Sequence, residues 1–212
     1  GGAAHHGHTT ENGGEEVLTI RGICKSFDGR PVLENVSFDF PEAAVTALRG
    51  PSGCGKTTLV NIILGLLAPD AGDVLMPSGA RTAAVFQEDR LIEHFSAARN
   101  VRLTAPASVP DEQIRAALSE LGLADEGEKR VSEFSGGMRR RVAVIRAALF
   151  KPQLLLLDEP FKGLDEEMRA RTAAFLCRTC AQSTIVLVTH DAAEAGLMRA
   201  RAHLDLGGKE EP

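Results

Sequence analysis

The sequence predicts an α/β fold in which a parallel sheet is covered by helices on both faces and is preceded by an antiparallel sheet. Four short apolar runs lie at residues 43–48, 83–86, 154–157 and 184–188, separated by stretches with helical periodicity. Such an alternation is typical of parallel strands buried between two helical layers. Apolar and polar residues alternate at 36–40, which indicates a strand with one solvated face, and residues 17–20 form another candidate strand.

Length and composition favour one globular domain. Of the 212 residues, 43% are hydrophobic and 25% are charged, a composition that can fill a core without disulfides or metals. We expect residues 1–15, rich in Gly, His, Thr and Asn, to be a disordered leader, with metal binding by His5, His6 and His8 as the alternative. The domain is then expected at 16–212, with a helical subdomain at about 88–150.

Charge, hydropathy and cysteine content exclude several classes of protein. A net charge of -5 argues against nucleic-acid binding, which needs a basic surface. The sequence has no apolar stretch long enough to span a bilayer and lacks the basic-then-apolar start of a secretory signal. Its four cysteines are typical of reduced intracellular thiols. We therefore expect a cytoplasmic protein.

The spacing of apolar residues predicts the helices. Helices are predicted at residues 57–67, 111–121 and 137–150, with a broader helical signal from 88 to 134. Gly122 is placed to end the second of these helices, and Gly72 indicates a turn.

A glycine-rich turn between a strand and a helix carries the first chemical motif. Its sequence is Gly50-Pro51-Ser52-Gly53-Cys54-Gly55-Lys56-Thr57, followed by Thr58, and it matches the phosphate-loop pattern G-x-x-x-x-G-K-[ST]. Glycines let backbone N–H groups surround a phosphate, and the start of a helix adds partial positive charge. We expect Lys56 to contact the β- and γ-phosphates and the Thr57 hydroxyl to bind Mg²⁺. A plain glycine-rich turn would not explain the strand, helix, lysine and threonine together.

A buried strand farther along the chain supplies carboxylates. Four leucines lead into Asp158 and Glu159, and open α/β sheets bind ligands at the carboxyl ends of their strands. Asp158 is expected to hold Mg²⁺, and Glu159 to face the γ-phosphate and its attacking water. Any strand can end in two acidic residues, but together with a phosphate loop this pair predicts a nucleoside triphosphatase.

The kind of triphosphatase is indicated by the sequence Phe134-Ser135-Gly136-Gly137-Met138. Ser135 is a good helix N-cap and two glycines follow it, so the residues themselves predict a second anion site at a helix start. With this motif, the chain from about Val17 to His190 resembles the ATP-binding cassette family, the nucleotide-binding subunits of ABC transporters. The family's signature reads L-S-G-G-Q.

The resemblance implies a RecA-like P-loop core that binds ATP and Mg²⁺. It also implies a head-to-tail homodimer, in which Ser135, Gly136 and Gly137 of one chain complete the phosphate loop of the other. Met138 departs from the signature, because a thioether cannot replace the glutamine amide as a polar partner. We expect this difference to weaken nucleotide or dimer affinity.

Four more residues match family motifs in chain order. The resemblance implies that Gln87 senses Mg²⁺ and the γ-phosphate, that Asp165 contacts the partner's site, that His190 binds the γ-phosphate, and that Phe27 stacks on adenine. Each has an ordinary alternative when taken alone, since a phenylalanine is usually a core residue and a histidine after a strand is usually a turn residue. With Lys56, Gln87 and His190 around the phosphates, Glu159 becomes the general base.

The resemblance further implies docking on separate transmembrane permease subunits, at the inner face of the membrane. Residues 158–161 look like those of bacterial importer subunits for nitrate, sulfonates and taurine. Two other classes remain open. A non-transport ABC ATPase acting in DNA repair or translation usually has two cassettes or a coiled-coil insertion. A P-loop GTPase or small-molecule kinase would not explain residues 134–138, and the sequence has no N-K-x-D guanine motif.

The arginines Arg139, Arg140 and Arg141 directly follow the signature. They are expected to form a solvated helix face, with contact to a partner or membrane subunit as the alternative. Cys177 and Cys180 are expected to be helix thiols, because a zinc site needs about four ligands. Cys54, at the start of a helix, is expected to be the more reactive thiol.

Overall fold

The computed structural model describes residues 18–207, which form two sheets and six α-helices. The leader proposed at 1–15 lies outside the described residues. The strands are β1 (Leu18–Phe27), β2 (Arg30–Phe40), β3 (Val45–Arg49), β4 (Ala71–Leu75), β5 (Thr82–Val85), β6 (Leu154–Asp158), β7 (Thr184–Val188) and β8 (Ala202–Asp205). The helices are α1 (Lys56–Ile63), α2 (Ala97–Arg102), α3 (Asp111–Glu120), α4 (Gly136–Leu149), α5 (Glu166–Thr179) and α6 (Ala192–Leu197). Two 3₁₀ turns, Ala124–Glu126 and Val131–Glu133, precede α4.

The first sheet is antiparallel, with strand order β2-β1-β4. The turn expected at Gly72 is wrong, because this residue lies inside β4. Gly72 has φ 89°, and a Cβ atom there would lie 2.4 Å from the carbonyl oxygens of Arg21 and Gly22. The pairing of β1 with β4 shifts register at this point, so a bulge brings the two backbones together and only glycine fits.

The second sheet is parallel, with strand order β5-β6-β7-β3-β8. Alternate residues of β6 and β7 enter two different cores. Leu155 and Leu187 pack with α4 and α5, whereas Leu156 and Val186 pack with α1 and the antiparallel sheet. Both faces are therefore covered, which explains why these strands are apolar except for Asp158 at the end of β6 and Thr184 at the start of β7. The α/β fold with an antiparallel sheet and a parallel core is confirmed.

The chain between β5 and β6 contains helices and irregular segments. The helical signal from residue 88 is wrong at its start, because residues 88–96 are irregular and α2 begins only after its N-cap, Ser96. The cause is the buried side chain of Asn100. Its Oδ1 accepts from the Ile92 N–H at 2.8 Å, and its Nδ2 donates to the carbonyl oxygens of Ile92 and Ser96. These bonds replace helical hydrogen bonds in the preceding segment.

Helix α1 is shorter than its apolar periodicity predicts, ending at Ile63 rather than at residue 67. Gly65 adopts φ 69°, and the N–H groups of Leu66 and Leu67 donate back to the Asn61 carbonyl oxygen. This left-handed glycine closes the helix with a Schellman-type turn. No α-helix within residues 18–207 combines the length and hydropathy that a membrane span requires.

Candidate nucleotide site

Four strands of the parallel sheet end at one edge, and each leads into a sequence motif. Gly50 follows β3, Asp158 is the last residue of β6, and Gln87 and His190 lie two residues beyond β5 and β7. The register pairs Asp158 with Val188, and Val188 with Leu48, so these ends are level with one another. The carboxyl edge of an open parallel sheet is where such folds bind ligands.

The phosphate loop occupies the turn from β3 to α1. Three of its glycines have positive φ: Gly50 (143°), Gly53 (80°) and Gly55 (99°). A Cβ atom on Gly50 would lie 2.3 Å from the Leu206 carbonyl oxygen, and one on Gly55 would lie 2.8 Å from the Leu33 side chain. The loop therefore lies between the end of β8 and strand β2, and at these positions it has no room for larger residues.

Lys56 is the first residue of α1, and its ammonium lies inside the loop. Its Nζ donates to the carbonyl oxygens of Gly50 at 2.7 Å and Pro51 at 2.8 Å, and the Cys54 Sγ is 3.9 Å away. The first turn of α1 has no acidic residue. Thr57 and Thr58 follow, with the Thr57 side chain exposed at the start of the helix. The lysine charge and the positive helix end thus reinforce each other.

Asp158 and Glu159 lie side by side at the end of β6. Burial raises the pKa of Asp158, and the neighbouring Glu159 charge raises it further, against the opposing charges of Arg140, Lys56 and Lys162. A buried carboxylate of this kind gains from a nearby cation. Glu159 has φ 49°, a left-handed conformation that is uncommon for a residue with a side chain and is enriched at functional sites.

The Glu159 carboxylate lies next to the His190 side chain. Its Oε1 is 3.5 Å from the His190 Nδ1, its Oε2 is 3.7 Å from the Lys162 Nζ, and its backbone N–H donates to the Val188 carbonyl oxygen. The residue before His190 is fixed to helix α6, because the Thr189 hydroxyl donates to the buried Glu194 carboxylate. The structure thus brings together the two residues that the sequence assigns to the γ-phosphate and its water.

The signature residues form the start of α4. The Ser135 hydroxyl oxygen accepts from the Met138 N–H at 3.3 Å, so Ser135 is the predicted N-cap, while Gly136 and Gly137 form the first turn. A Cβ atom on Gly137 would lie 3.1 Å from the Gly163 carbonyl oxygen. A shallow groove runs between this helix start and the segment that contains Asp165. Asp165 caps α5 through the Met168 N–H.

The arginines after the signature do not form a solvated face, so that expectation is wrong. Arg140 is buried, with its Nη1 and Nη2 donating to the carbonyl oxygens of Phe86 and Gln87, each at 2.5 Å. Arg141 donates to the Leu121 carbonyl oxygen at 2.6 Å. The reason is that irregular segments on both sides of α4 present carbonyl groups without strand or helix partners, and guanidinium groups satisfy them. Sequence reasoning missed Arg140 as a residue of this site.

Phe27 is set apart from the other site residues at the end of β1. Its ring is 45% exposed, and the Lys25 Nζ lies 5.7 Å from the ring centroid. An exposed ring is not a core residue, which removes the ordinary alternative for Phe27. Strand β2, which pairs with the strand β1 that carries Phe27, contacts the phosphate loop at Gly55 through Val32 and Leu33.

The residues present fit a magnesium–nucleotide complex. The carboxylate of Asp158, the hydroxyl of Thr57 and the amide of Gln87 are the oxygen donors that Mg²⁺ prefers. The glycines with positive φ shape the backbone into a concave turn that also contains Lys56. The helix that follows has no acidic residue in its first turn, so this turn is suited to binding phosphate. The fold and this site together define the class of P-loop nucleoside triphosphatases.

Comparison with known proteins gives the family. The model of the ABC transporter family matches residues 33–162, more than half of the chain. An aliphatic sulfonates import ATP-binding protein, SsuB 1 of Agrobacterium fabrum, is 38% identical over 197 residues, covering 90% of this chain and 71% of that protein. The corresponding protein of Streptomyces avermitilis is 39% identical over 190 residues, covering 87% of this chain and 71% of its own length.

Other matched proteins agree. An Fe(3+) ions import ATP-binding protein, FbpC 1 of Rhodococcus jostii, is 37% identical over 195 residues, covering 84% of this chain and 56% of that protein. A solved structure described as an ATP-binding subunit of an ABC transporter superimposes with a TM-score of 0.81 at 25% identity, covering 90% of this chain and 85% of that one. The chain belongs to the ABC transporter ATP-binding family, and it is an ATPase.

Proposed function

We propose that this chain is the ATP-hydrolysing subunit of a bacterial ABC importer, working as a head-to-tail homodimer on separate permease subunits. The observation that carries the proposal is the convergence of Gly50, Gln87, Asp158 and His190 at one edge of the parallel sheet. Each is a position that the motif order assigns to the triphosphate of ATP.

The phosphate loop binds and orients the triphosphate. The N–H groups of the loop and of the first turn of α1 surround the β- and γ-phosphates, and the Lys56 ammonium contacts the same oxygens. Thr57, Gln87 and Asp158 would hold Mg²⁺, which would neutralise charge on the phosphates. A magnesium partner also offsets the cost of keeping the Asp158 carboxylate ionised in its buried position.

Glu159 and His190 act on the attacking water and the γ-phosphate. The Glu159 carboxylate accepts the water proton as the water attacks phosphorus, and the bond to the β-phosphate oxygen breaks. The His190 side chain, 78% exposed and next to Glu159, donates a hydrogen bond to the γ-phosphate. The left-handed backbone at Glu159 fixes its direction relative to Asp158.

The second half of each site comes from the other chain. One lysine and one helix start leave much of the triphosphate charge uncompensated. The start of α4 supplies a further positive helix end, and the Ser135 hydroxyl keeps its O–H donor because its cap uses only the oxygen as acceptor. Asp165 lines the same groove and contacts the partner's site, while Phe27 stacks on adenine.

The import role rests on the relatives. Those named above are import ATP-binding proteins for aliphatic sulfonates or for Fe(3+) ions. We propose that the helical subdomain, at about residues 88–150, docks on permease subunits at the cytoplasmic face of the membrane. Aliphatic sulfonates are the first cargo to test. In proteoliposomes that hold this chain and a cognate sulfonate permease, uptake should require ATP and should stop with the Glu159→Gln variant.

The Glu159→Gln variant also tests the site and the dimer. It keeps the size of the side chain and removes the charge, so hydrolysis should fall by about 10²–10⁴-fold, the usual contribution of a general base. ATP should still bind through Lys56. Loss of the carboxylate repulsion near the γ-phosphate should favour an ATP-bound dimer of twice the 22.6 kDa chain mass, measured by light scattering over a range of protein concentrations.

The matched control is Glu167→Gln, the same change at an exposed residue of α5 that forms an ion pair with Arg171. It should hydrolyse ATP like the wild type and should not accumulate as a dimer. A Glu159→Gln protein that stays monomeric at every concentration, or that hydrolyses ATP at the wild-type rate, would contradict the assignment. Dimerisation only at high protein concentration is the effect expected of Met138.

A further inference from the structure

The segment that carries Gln87 lacks regular secondary structure. Residues 86–90 follow β5 without forming a strand or a helix. Arg90 has φ 46°, and its guanidinium lies 3.6 Å from the centroid of the Phe86 ring. Carbonyl groups in such a segment have no ladder partners, so other donors must satisfy them where water is excluded.

Two arginines of helix α4 supply those donors. Arg140 donates to the Phe86 and Gln87 carbonyl oxygens, each at 2.5 Å, while Arg146 donates to the Asp89 carbonyl oxygen at 3.2 Å and to that of Arg90 at 2.9 Å. Four carbonyl groups within five residues are thus bound to one helix. Ser135 caps the N-terminal end of that same helix.

Arg140 is the more deeply placed of the two arginines. Its side chain is 5% exposed, and its Nε lies 3.3 Å from the Asp89 carboxylate. The planar fork of a guanidinium can hold two carbonyl oxygens and a carboxylate at once, which the single nitrogen of an ammonium group cannot do with the same geometry. Removing it would leave buried acceptors unsatisfied, so this contact fixes the segment strongly.

We propose that Arg140, supported by Arg146, is a positioning residue that fixes the Gln87 backbone to the signature helix. Gln87 is therefore placed by α4 as well as by the end of β5. A shift of α4, whose N-terminus faces the partner's nucleotide in the proposed dimer, moves the backbone that carries Gln87 in its own site. The proposal deepens the proposed function, because it rests on Gln87 acting at the Mg²⁺ and γ-phosphate.

The main test compares Arg140→Met with Arg139→Met. Methionine has a similar length and no donor. Arg139 lies on the same helix but contacts Glu93 and the Val131 carbonyl oxygen instead of residues 86–90. Arg140→Met should lower kcat about tenfold, as small misplacements of catalytic groups do. Equilibrium ATP affinity, set by the phosphate loop, should stay within about twofold of the wild type. Arg139→Met should change neither quantity.

A double-mutant cycle separates positioning from general structural damage. If Arg140 acts through Gln87, then Arg140→Met in a Gln87→Ala background should lower kcat no further. Arg140→Lys should behave like Arg140→Met, because the charge remains and the fork is lost. Restored activity in Arg140→Lys, or independent losses that multiply in the double variant, would overturn the proposal.

Hydrogen exchange gives a readout that does not depend on the role of Gln87. Amides of residues 86–90 should exchange about tenfold faster in Arg140→Met than in the wild type or in Arg139→Met. If Gln87→Ala hydrolyses ATP normally while this exchange rises, the proposed role of Gln87 fails, but Arg140 still fixes residues 86–90 to α4. Unchanged exchange in Arg140→Met would directly refute the claim that Arg140 fixes this segment. Should Arg140→Met not fold, Arg146→Met carries the same exchange test on residues 89 and 90.

Discussion

The N-termini of α1 and α4, which the proposed function assigns to the same nucleotide, differ in what they offer an anion. Both helices lack an acidic residue in their first turn, whereas α3 and α5 each begin with two. Helix α1 is preceded by Gly55 in a left-handed conformation without a side-chain cap, and its first residue is Lys56. Helix α4 is capped by the Ser135 hydroxyl and begins with two glycines.

The difference shows which helix start can hold a phosphate alone. At α1 the chain adds a full positive charge to the partial charge of the helix, with a glycine backbone that wraps around the anion. At α4 only a hydroxyl, N–H groups and the helix dipole are available. The first helix start could therefore bind a phosphate within one chain, whereas in the proposed dimer the second would complete the site of the partner chain.

The largest effect should follow from removing the charge at α1. Lys56→Ala should lower ATP hydrolysis to below about a tenth of the wild-type rate, because the only lysine inside the phosphate loop is lost. ATP binding should weaken strongly as well. Steady-state hydrolysis and equilibrium binding measure both effects. Lys162→Ala, at an exposed lysine beside Glu159, is the control for charge, and equal losses in the two variants would count against the special role of the loop.

Changes at α4 should separate binding from catalysis. Ser135→Arg should leave ATP binding to the single chain within about twofold of the wild type, yet should lower hydrolysis by at least about tenfold, because the partner's phosphates meet a bulky cation instead of a small donor. Hydrolysis and single-chain binding are measured on the same preparation.

Mixing Ser135→Arg chains with Lys56→Ala chains sharpens this experiment. One composite site of each mixed dimer then has an intact loop and an intact signature, while the other has neither. Activity should appear in the mixture that neither variant shows alone, but it should stay below the wild-type rate. A mixture with full activity would show that the sites do not cross between chains.

A smaller effect is expected in cysteine labelling. Burial raises the pKa of Cys177, and raises that of Cys180 to about 12, so thiolates are scarce at both positions. Cys54 lies in the loop before α1, with its Sγ 3.9 Å from the Lys56 Nζ. It should react at least about tenfold faster than Cys180, and MgATP should slow this reaction. Cys24, in β1, is the internal control, and peptide mapping reads all four. Labelling of Cys54 that ATP leaves unchanged would place the nucleotide elsewhere.

The smallest effect concerns stability. Asp158 has a folded-state pKa above its ordinary value, so the ionised carboxylate destabilises the nucleotide-free fold at neutral pH, and this loss is relieved as the pH falls through the raised pKa. Asp158→Asn should therefore raise the thermal midpoint by a few degrees at neutral pH while it lowers hydrolysis. The gain should shrink in acid. A lower midpoint at neutral pH would show that the carboxylate is already well compensated without Mg²⁺.

Short sequence motifs predicted those parts of the site whose conformation is set by residues close together in the chain. The phosphate loop, the acidic end of β6 and the cap at Ser135 each depend on neighbouring residues, and all three are predicted from residue types in their local order. Strands β4 and β8 were missed because they are short and largely exposed to solvent, so neither has the apolar run of a buried strand. Their pairing is decided by β1 and β3, which lie far away in the sequence.

The role of Arg140 could not be predicted for a related reason. A run of three arginines on a helix resembles a solvated face, because charged side chains are rarely buried. Here the partners are carbonyl groups of residues 86 and 87, more than fifty positions earlier in the chain. The prediction of where α2 starts was wrong for the same reason, since this boundary depends on hydrogen bonds of the Asn100 side chain to Ile92.

The contact between Gly50 and the end of β8 sets the smallest piece of chain that can serve as a nucleotide-binding module. The Leu206 N–H donates to the Arg49 carbonyl oxygen, and the Leu206 carbonyl oxygen leaves no space for a side chain on Gly50. Gly207 in turn lies against Cys54 and Pro51. A fragment that stopped after residue 162, where the family match ends, would retain every residue of the phosphate loop. It would lose Leu206 and Gly207, which pack against that loop. Truncations and fusion junctions should therefore be placed beyond Gly207.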